Sequence, residues 1–129
     1  MTFALATAIA QQWWLGAGAD APADNLLRQG LSRQGALAVV AGKSGDKAQR
    51  RALEFGLKLP VQLALDKGAR DLALSGVTVG NDDDARGFAA LKAGLFFEAL
   101  ARHLGDETML ALAKRLDARP ISLTALREA

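Results

Sequence analysis

The sequence has no cysteine, no tyrosine and a single histidine among its 129 residues. Without cysteine the chain forms no disulfide, and it offers no thiolate as a nucleophile or as a zinc ligand. The absence fits a reducing compartment, and we predict a cytoplasmic protein. One histidine would leave carboxylates to supply the remaining ligands of any metal, so we expect no metal and no other cofactor.

Valine, isoleucine and threonine are few, whereas alanine and leucine supply most of the apolar half of the chain. This composition favours helix over strand. Residues 76–80 (GVTVG) are the one stretch with strand character, and they are too short to build a sheet. We therefore predict an all-α protein, a compact bundle of six to eight short-to-medium helices that forms a single domain over residues 1–129.

The N-terminal stretch lacks the features of a targeting segment. It is mostly apolar, and residues 17–19 (AGA) resemble a cleavage site, but no lysine or arginine precedes Arg28. The basic region of a signal peptide is therefore missing, and we expect none. A membrane-spanning helix needs about 20 apolar residues, which this stretch does not provide, so we also expect no membrane span.

Caps, glycines and prolines predict where the first helices begin and end. Thr2 caps a first helix that runs to about Leu15. Gly30 ends a second helix, and Ser32 caps a third helix that ends at Gly42.

The middle of the chain predicts a helix that is interrupted by proline. A fourth helix begins at Ser44 or Asp46, and Pro60 breaks or kinks it. A fifth helical segment follows over residues 61–74, with a split at Gly68. The fourth helix repeats apolar residues at helical spacing, at Ala48, Ala52, Phe55 and Leu59.

The longest predicted helix covers residues 82–104, with Asn81 as its cap and Gly105 after its end. One broad apolar face of this helix carries Phe88, Leu91, Leu95, Phe96 and Ala99. Asp106 caps the next amphipathic helix, and Ser122 starts a short last helix.

Residues 39–46 (VVAGKSGD) resemble the end of a phosphate-binding loop. That loop needs a glycine five positions before Gly42, and Leu37 occupies the position. The residues between Leu37 and Gly42 are apolar and typical of a buried helix. We therefore interpret the segment as the end of one helix followed by the start of another.

Three consecutive aspartates, Asp82, Asp83 and Asp84, are candidates for a metal or phosphoryl-transfer site. Neighbouring residues of a helix point about 100° apart, so the three carboxylates do not converge on one ion. We interpret them as a first helical turn that complements the helix dipole. His103 lies in the last turn of the same helix, where its positive form is favoured, and we interpret it in the same way.

Five basic residues follow the Gly42 turn, and most of them fall on one side of the fourth helix: Lys43, Lys47, Arg50, Arg51 and Lys58. Such a stripe can contact the phosphates of nucleic acid or of anionic lipid. No tyrosine or tryptophan interleaves to stack on bases, and the net charge is only +2. A solvated helix face is the interpretation that we prefer, with an anion-binding module as the alternative.

Two adjacent aromatic pairs, Trp13 with Trp14 and Phe96 with Phe97, are candidates for an interaction surface. Because neighbouring helical residues diverge by about 100°, one member of a pair can face the core while the other faces outward. The alternative is burial of both members in a helix seam. For the longest helix, the pair predicts either a central position in the bundle or a surface that a second copy covers.

Three segments occur in a characteristic order: GDKAQRRALEFGLKLP, then LALDKGARDLALSG, then AALKAGLFFEALARHLGDE. Together with the Trp13–Trp14 pair, this order resembles a family of uncharacterised helical bacterial proteins that is associated with type VI secretion loci. The proline-rich stretch expected after residues 75–76 is replaced by GVTVGNDDD. The resemblance implies an accessory or interaction role, and it carries over no catalytic residue.

The sequence thus favours a non-enzymatic helical interaction or accessory protein, whose partner is another protein or a second copy. Two alternatives stay open. One is a module that binds nucleic acid or acidic lipid through the basic face of residues 43–58. The other is an enzyme whose site includes the aspartates at 82–84 or His103.

Overall fold

The structure is a computed structural model that describes residues 2–13, 22–42, 47–71, 73–76, 83–117 and 123–128. These ranges form six α-helices: α1 (Phe3–Trp13), α2 (Pro22–Gly42), α3 (Lys47–Asp66), α4 (Asp83–Leu104), α5 (Asp106–Asp117) and α6 (Leu123–Glu128). A short 3-10 helix, Leu74–Gly76, lies between α3 and α4. The described ranges contain no strand, which confirms the all-α prediction, and residues 77–80 of the GVTVG stretch lie outside them.

Helix α4 is at the centre of the packing, because it contacts α2 most extensively and also contacts α3 and α5. Helix α2 contacts α1 and α3 in addition. The larger core cluster joins four helices through Leu27, Leu31, Phe97, Ala101, Met109, Leu116 and Ala125. A central α4 is one of the two arrangements predicted from its aromatic pair.

The predicted break at Gly30 is wrong, since α2 runs without interruption from Pro22 to Gly42. A Cβ atom at Gly30 would lie 2.8 Å from backbone atoms of Ala93 and from the ring of Phe97. This glycine therefore allows α2 and α4 to approach closely, and it does not end a helix. Ser32 caps nothing, because its hydroxyl donates to the carbonyl of Arg28 one turn earlier, at 2.8 Å.

Of the two effects predicted for Pro60, a break or a kink, the break is wrong, because α3 continues through Pro60 to Asp66. Proline leaves the carbonyl of Gly56 without its helical N–H partner. Gly56 and Pro60 are both exposed, so water can donate to that carbonyl. The separate segment predicted over residues 61–74 is therefore not observed, and its first six residues belong to α3.

Helix α3 ends in a Schellman motif around Gly68, whose φ is +83°. The Gly68 amide donates to the carbonyl of Leu65, and the Ala69 amide donates to the carbonyl of Ala64, both at 2.9 Å. Only glycine adopts this φ without strain. The chain therefore turns away from α3 at Gly68.

Two predicted helix ends are confirmed. The hydroxyl of Thr2 accepts from the Leu5 amide at 3.3 Å and so caps α1. Gly105, with a φ of +85°, follows the end of α4, and its amide donates to the carbonyl of Ala101. Asp106 is the first residue of α5 and not its cap, because the carbonyl of Gly105 accepts the first helical bond.

The apolar face predicted for α4 differs from the face that is buried. The buried residues are mainly small: Phe88, Ala89, Ala90, Ala93, Gly94, Phe97, Glu98 and Ala101. Of the predicted face only Phe88 is buried, whereas Phe96 and Ala99 are exposed. Small side chains occupy these positions because α2 lies too close to α4 to leave room for larger ones.

No described helix is both long and apolar enough to cross a lipid bilayer.

Candidate functional site

The apolar repeat of α3 faces solvent. The exposed fractions are 61% for Phe55, 43% for Leu59 and 48% for Leu63. Ala52 and Ala48, about one and two turns before Phe55, are also exposed. These five residues recur every three or four positions and therefore form one continuous stripe along the helix, which we call the α3 stripe.

The opposite side of α3 packs against the bundle with an unusual mixture of side chains. Leu57 is buried and lies beside Gly94 of α4, while Leu53 is half-buried. Glu54 is buried on this side, and Arg50 is half-buried. The helix thus orients a partly polar face inward and leaves its most regular apolar face outside, because the inner polar groups meet charged partners on α4.

Arg50 joins three helices through two carboxylates. Its guanidinium donates from Nε to Glu98 Oε1 at 2.8 Å and from Nη2 to Glu98 Oε2 at 3.2 Å. It also donates from Nη1 and Nη2 to the two oxygens of Asp106, at 3.0 and 3.1 Å. The bonds to Glu98, followed by those to Asp106, raise the pKa of Arg50 above its ordinary value. Arg50 therefore stays charged at any physiological pH.

Glu54 is held by two further basic side chains. Lys58 lies 2.7 Å from one of its oxygens, and Arg102 of α4 pairs with the other oxygen. Arg102 also approaches Glu98, with its Nε 3.9 Å from Oε1. Both buried carboxylates are thus neutralised, as buried charges must be.

A recess of 690 Å³ opens between α3 and the end of α4, on one side of the α3 stripe. Its lining includes five basic side chains: Lys47, Arg50, Arg51, Lys58 and Arg102. The carboxylates at the recess are those of Glu54 and Asp106, with Glu98 bound behind Arg50. Five positive and three negative charges leave an excess of two positive charges. We call this feature the basic recess.

The structure brings four of the five predicted anion-binding residues to this recess, and Lys43 lies outside the described residues. Two of the four are committed to internal pairs, Arg50 with Glu98 and Lys58 with Glu54. Lys47 and Arg51 are exposed and form no ion pair with any residue that the structure describes. The positive charge available to a ligand is therefore centred on the N-terminal half of α3.

Of the four aromatic residues predicted as an interaction surface, the structure describes the side chains of Phe96 and Phe97, which differ in exposure. Phe97 is fully buried at 0% exposure, and Phe96 is 45% exposed, with the two rings packed edge to face at 5.1 Å. Trp13 is the last residue of α1, and Trp14 lies outside the described residues. Of the two phenylalanines, Phe96 is the one whose position leaves it accessible to a partner.

The acidic and histidine candidates do not come together. Asp83 and Asp84 are exposed in the first turn of α4, where Asp83 pairs with Arg86, and Asp82 lies outside the described residues. His103 is exposed in the last turn of α4, about 30 Å from Asp84 along the helix axis. Among described residues, no group of three histidine, aspartate or glutamate side chains could hold a metal ion.

A second cavity, of 430 Å³, lies between α1, α2 and α5. Its walls are mostly apolar and include Ile9, Val39 and Leu110, and Lys114 lies at its edge. It shares Asp106 with the basic recess. The two cavities therefore flank the start of α5.

Sequence reasoning missed the partners of Arg50. Glu98 interrupts the apolar run LFFEAL of residues 95–100, and a lone carboxylate in such a run signals a buried ion pair. Asp106 was predicted only as a helix cap, and its distance of 56 residues from Arg50 left no local signal. Comparison with protein families, with curated proteins and with solved structures found no match.

Proposed function

We propose that this chain is a non-enzymatic interaction protein that binds another protein along the outer face of α3. The observation that carries the proposal is the α3 stripe, in which Phe55, Leu59 and Leu63 are each more than two-fifths exposed. A helix that packs on one side of a bundle ordinarily presents polar residues on its other side. Contiguous exposed apolar residues with a polar rim are typical of protein contact surfaces.

The inner face of α3 supports this proposal, because it shows that the orientation of the helix is fixed. Arg50 and Glu54 are bound to α4 and α5 through ion pairs on the side opposite the stripe. A rotation of α3 that buried Phe55 would expose these pairs and break them. The stripe is therefore a built-in surface of the folded chain, available to a partner without rearrangement.

The resemblance to proteins of type VI secretion loci supports an accessory role, and it makes secretion components of the source organism the first candidates for the partner. A cytoplasmic location is part of the same proposal. We propose no catalytic role for Asp83, Asp84 or His103, since they are separated along α4.

The proposal is tested by affinity capture from the source organism with paired variants. Phe55→Ser with Leu59→Ser removes two exposed apolar side chains of the stripe, and we expect at least one bound protein to be reduced about tenfold. The control is Leu110→Ser, because Leu110 is 58% exposed but lies on α5, next to the other cavity. Quantitative mass spectrometry of the bound fractions measures the difference.

All three proteins should have the same free energy of unfolding within about 0.5 kcal/mol, since the substituted residues are exposed. If the stripe variant and the Leu110→Ser variant capture the same proteins in the same amounts as the wild type, the proposed function is wrong.

A further inference from the structure

We infer that the partner of the α3 stripe is an amphipathic helix of another protein, with acidic side chains along one border of its apolar face. This inference rests on the proposed function and adds the chemistry of the partner. Three features favour such a partner: the distribution of charge around the stripe, the shape of the recess beside it, and the mismatch that a second copy of this chain would create.

Charge is distributed unequally on the two borders of the stripe. With about 100° between neighbouring residues, Lys47, Arg51 and Lys58 fall on one border of the stripe. The opposite border carries the neutral residues Gln49, Gly56 and Pro60. The basic border extends over about 16 Å, which is three helical turns. A partner helix that lies along the stripe can therefore place carboxylates against this border at successive turns.

The basic border opens into a concave site. Phe55 belongs both to the stripe and to the lining of the basic recess, so the apolar contact and the charged contact are continuous. Lys47 and Arg51 have no ion pair with a described residue, and Lys58 is exposed although it pairs with Glu54. A carboxylate that enters the recess would meet an excess of positive charge that the described residues around it do not neutralise.

A second copy of this chain matches the surface poorly. If two α3 helices pack antiparallel about a twofold axis, each border faces the same border of the other copy. The basic borders of the two copies, each with Lys47, Arg51 and Lys58, would then lie against one another, and like charges at a helix interface repel. If the helices pack parallel, the basic border of each copy faces the neutral border of the other, and no pair of opposite charges forms.

An acidic membrane surface also matches less well than an acidic helix. A bilayer is broad and presents its charge on both sides of an apolar stripe, whereas the cations of α3 that flank the stripe lie on one border. They also line a recess of 690 Å³, which side chains can enter and a flat bilayer surface cannot. Because the cations lie on one border of the stripe and line a recess, they favour a narrow, rod-like partner that carries its charge along one side.

The inference is tested with three synthetic helical peptides that share one leucine face. They carry glutamate, glutamine or lysine along the same border of that face. We expect the glutamate peptide to bind wild-type protein at least about tenfold more tightly than the glutamine peptide at low ionic strength. The lysine peptide should bind most weakly. Isothermal titration calorimetry measures the three affinities.

The matched variant is Lys47→Glu with Arg51→Glu, which reverses the border and leaves the stripe intact. It should lose the preference for the glutamate peptide and bind the lysine peptide more tightly. Phe55→Ser should weaken the binding of all three peptides, because all three contact the stripe through the same leucine face. Addition of salt should reduce the glutamate preference, since both charged groups are solvent-accessible before binding.

Equal binding of the glutamate and glutamine peptides, or no effect of the charge reversal, overturns the inference. So does binding to phosphatidylserine vesicles that depends on Phe55 and Arg51 as strongly as binding of the glutamate peptide does. A dimer in light scattering that Phe55→Ser dissociates overturns it in favour of a second copy. If capture still depends on the stripe while the peptides do not differ, this inference fails and the proposed function stands.

Discussion

Arg50 is the residue on which the charged part of the structure depends. It lies on α3, and its guanidinium uses Nε and both terminal nitrogens to bind Glu98 of α4 and Asp106 of α5. Glu98 is only 1% exposed, so its charge requires this partner. Lysine would not substitute for Arg50, because a single ammonium group cannot bind two carboxylates in the same forked geometry.

We expect Arg50→Ala to lower the free energy of unfolding by about 2–3 kcal/mol, since among the described cations it leaves the buried Glu98 with Arg102 alone, at 3.9 Å. The matched control is Arg51→Ala, one residue further along the same helix. Arg51 is exposed and pairs with no described residue, so this change should cost less than about 0.5 kcal/mol. Urea unfolding followed by circular dichroism measures the free energy of unfolding of both variants. Equal losses of stability in Arg50→Ala and Arg51→Ala would show that Glu98 does not depend on Arg50.

Burial also acts on Arg33, a second basic residue that faces α4. Its Nη1 donates to the carbonyl of Ala90 at 3.5 Å, and its stem covers Gly94. Burial lowers the pKa of Arg33, because removal from water penalises the charged form. Two arginines on neighbouring helices thus respond in opposite directions. Arg50, with its carboxylate partners, is stabilised in its charged form, whereas Arg33, which pairs with no carboxylate of the described residues, is not.

At the level of helices, the contact between α2 and α4 is the most extensive among the described elements, and Gly30 permits their close approach. We expect Gly30→Ala to lower the free energy of unfolding by about 1–3 kcal/mol, because the added methyl group would lie 2.8 Å from Ala93 and Phe97. The displaced groups include backbone, which cannot move as a flexible side chain does. Thermal and urea unfolding measure the change.

Gly35→Ala, in the same helix, provides the control for helix propensity. A Cβ atom at Gly35 has no neighbour within 4 Å, so alanine should raise the free energy of unfolding by about 0.5–1 kcal/mol. The two substitutions are chemically identical and should have opposite signs. If Gly30→Ala also stabilises the protein, α2 and α4 do not approach as closely as the structure places them.

Helix ends were predictable from the sequence where the signal is local. Thr2 and Gly105 act through bonds to residues within four positions, so their roles can be inferred from the adjacent sequence. Gly30 and Pro60 were misinterpreted because tertiary structure decides their roles. A glycine inside a helix is tolerated when another helix needs the space, and an exposed proline is tolerated when water satisfies the freed carbonyl.

The sequence predicts which residues of α3 form the candidate site, but it does not predict which face of that helix is exposed. Spacing alone identifies the apolar repeat of α3 and the basic residues beside it. It does not identify which face is buried, because Leu53 and Leu57 form a second apolar row on the opposite side of the helix. The choice between the two rows depends on Glu98 and Arg102 of α4, which lie more than forty residues away in sequence.

For the whole molecule, the described contacts are most extensive around α4, whereas α1 buries far fewer residues. In α4, eight residues are buried, whereas Ala6 is the one buried residue of α1 among the side chains that the structure describes. Helix α1 packs mainly against α2, and the apolar cavity beside it is lined by Ile9 and Leu110, which are both more than half exposed. Buried apolar contacts set the cost of local opening, so the stability of the fold should be uneven.

We expect native-state hydrogen exchange to separate these regions. Amides of α4 near Ala93 and Phe97 should exchange only through global unfolding, so their protection should fall steeply as urea is added below the unfolding midpoint. Amides of α1 should exchange through a local opening that exposes little surface, and their protection should hardly change with urea. Mass spectrometry of proteolytic fragments resolves the two regions. Gly30→Ala supplies the control. It should lower the protection of α4 by its full effect on the free energy of unfolding and leave the protection of α1 unchanged. An equal loss of protection in both helices would show that the bundle unfolds as a single cooperative unit.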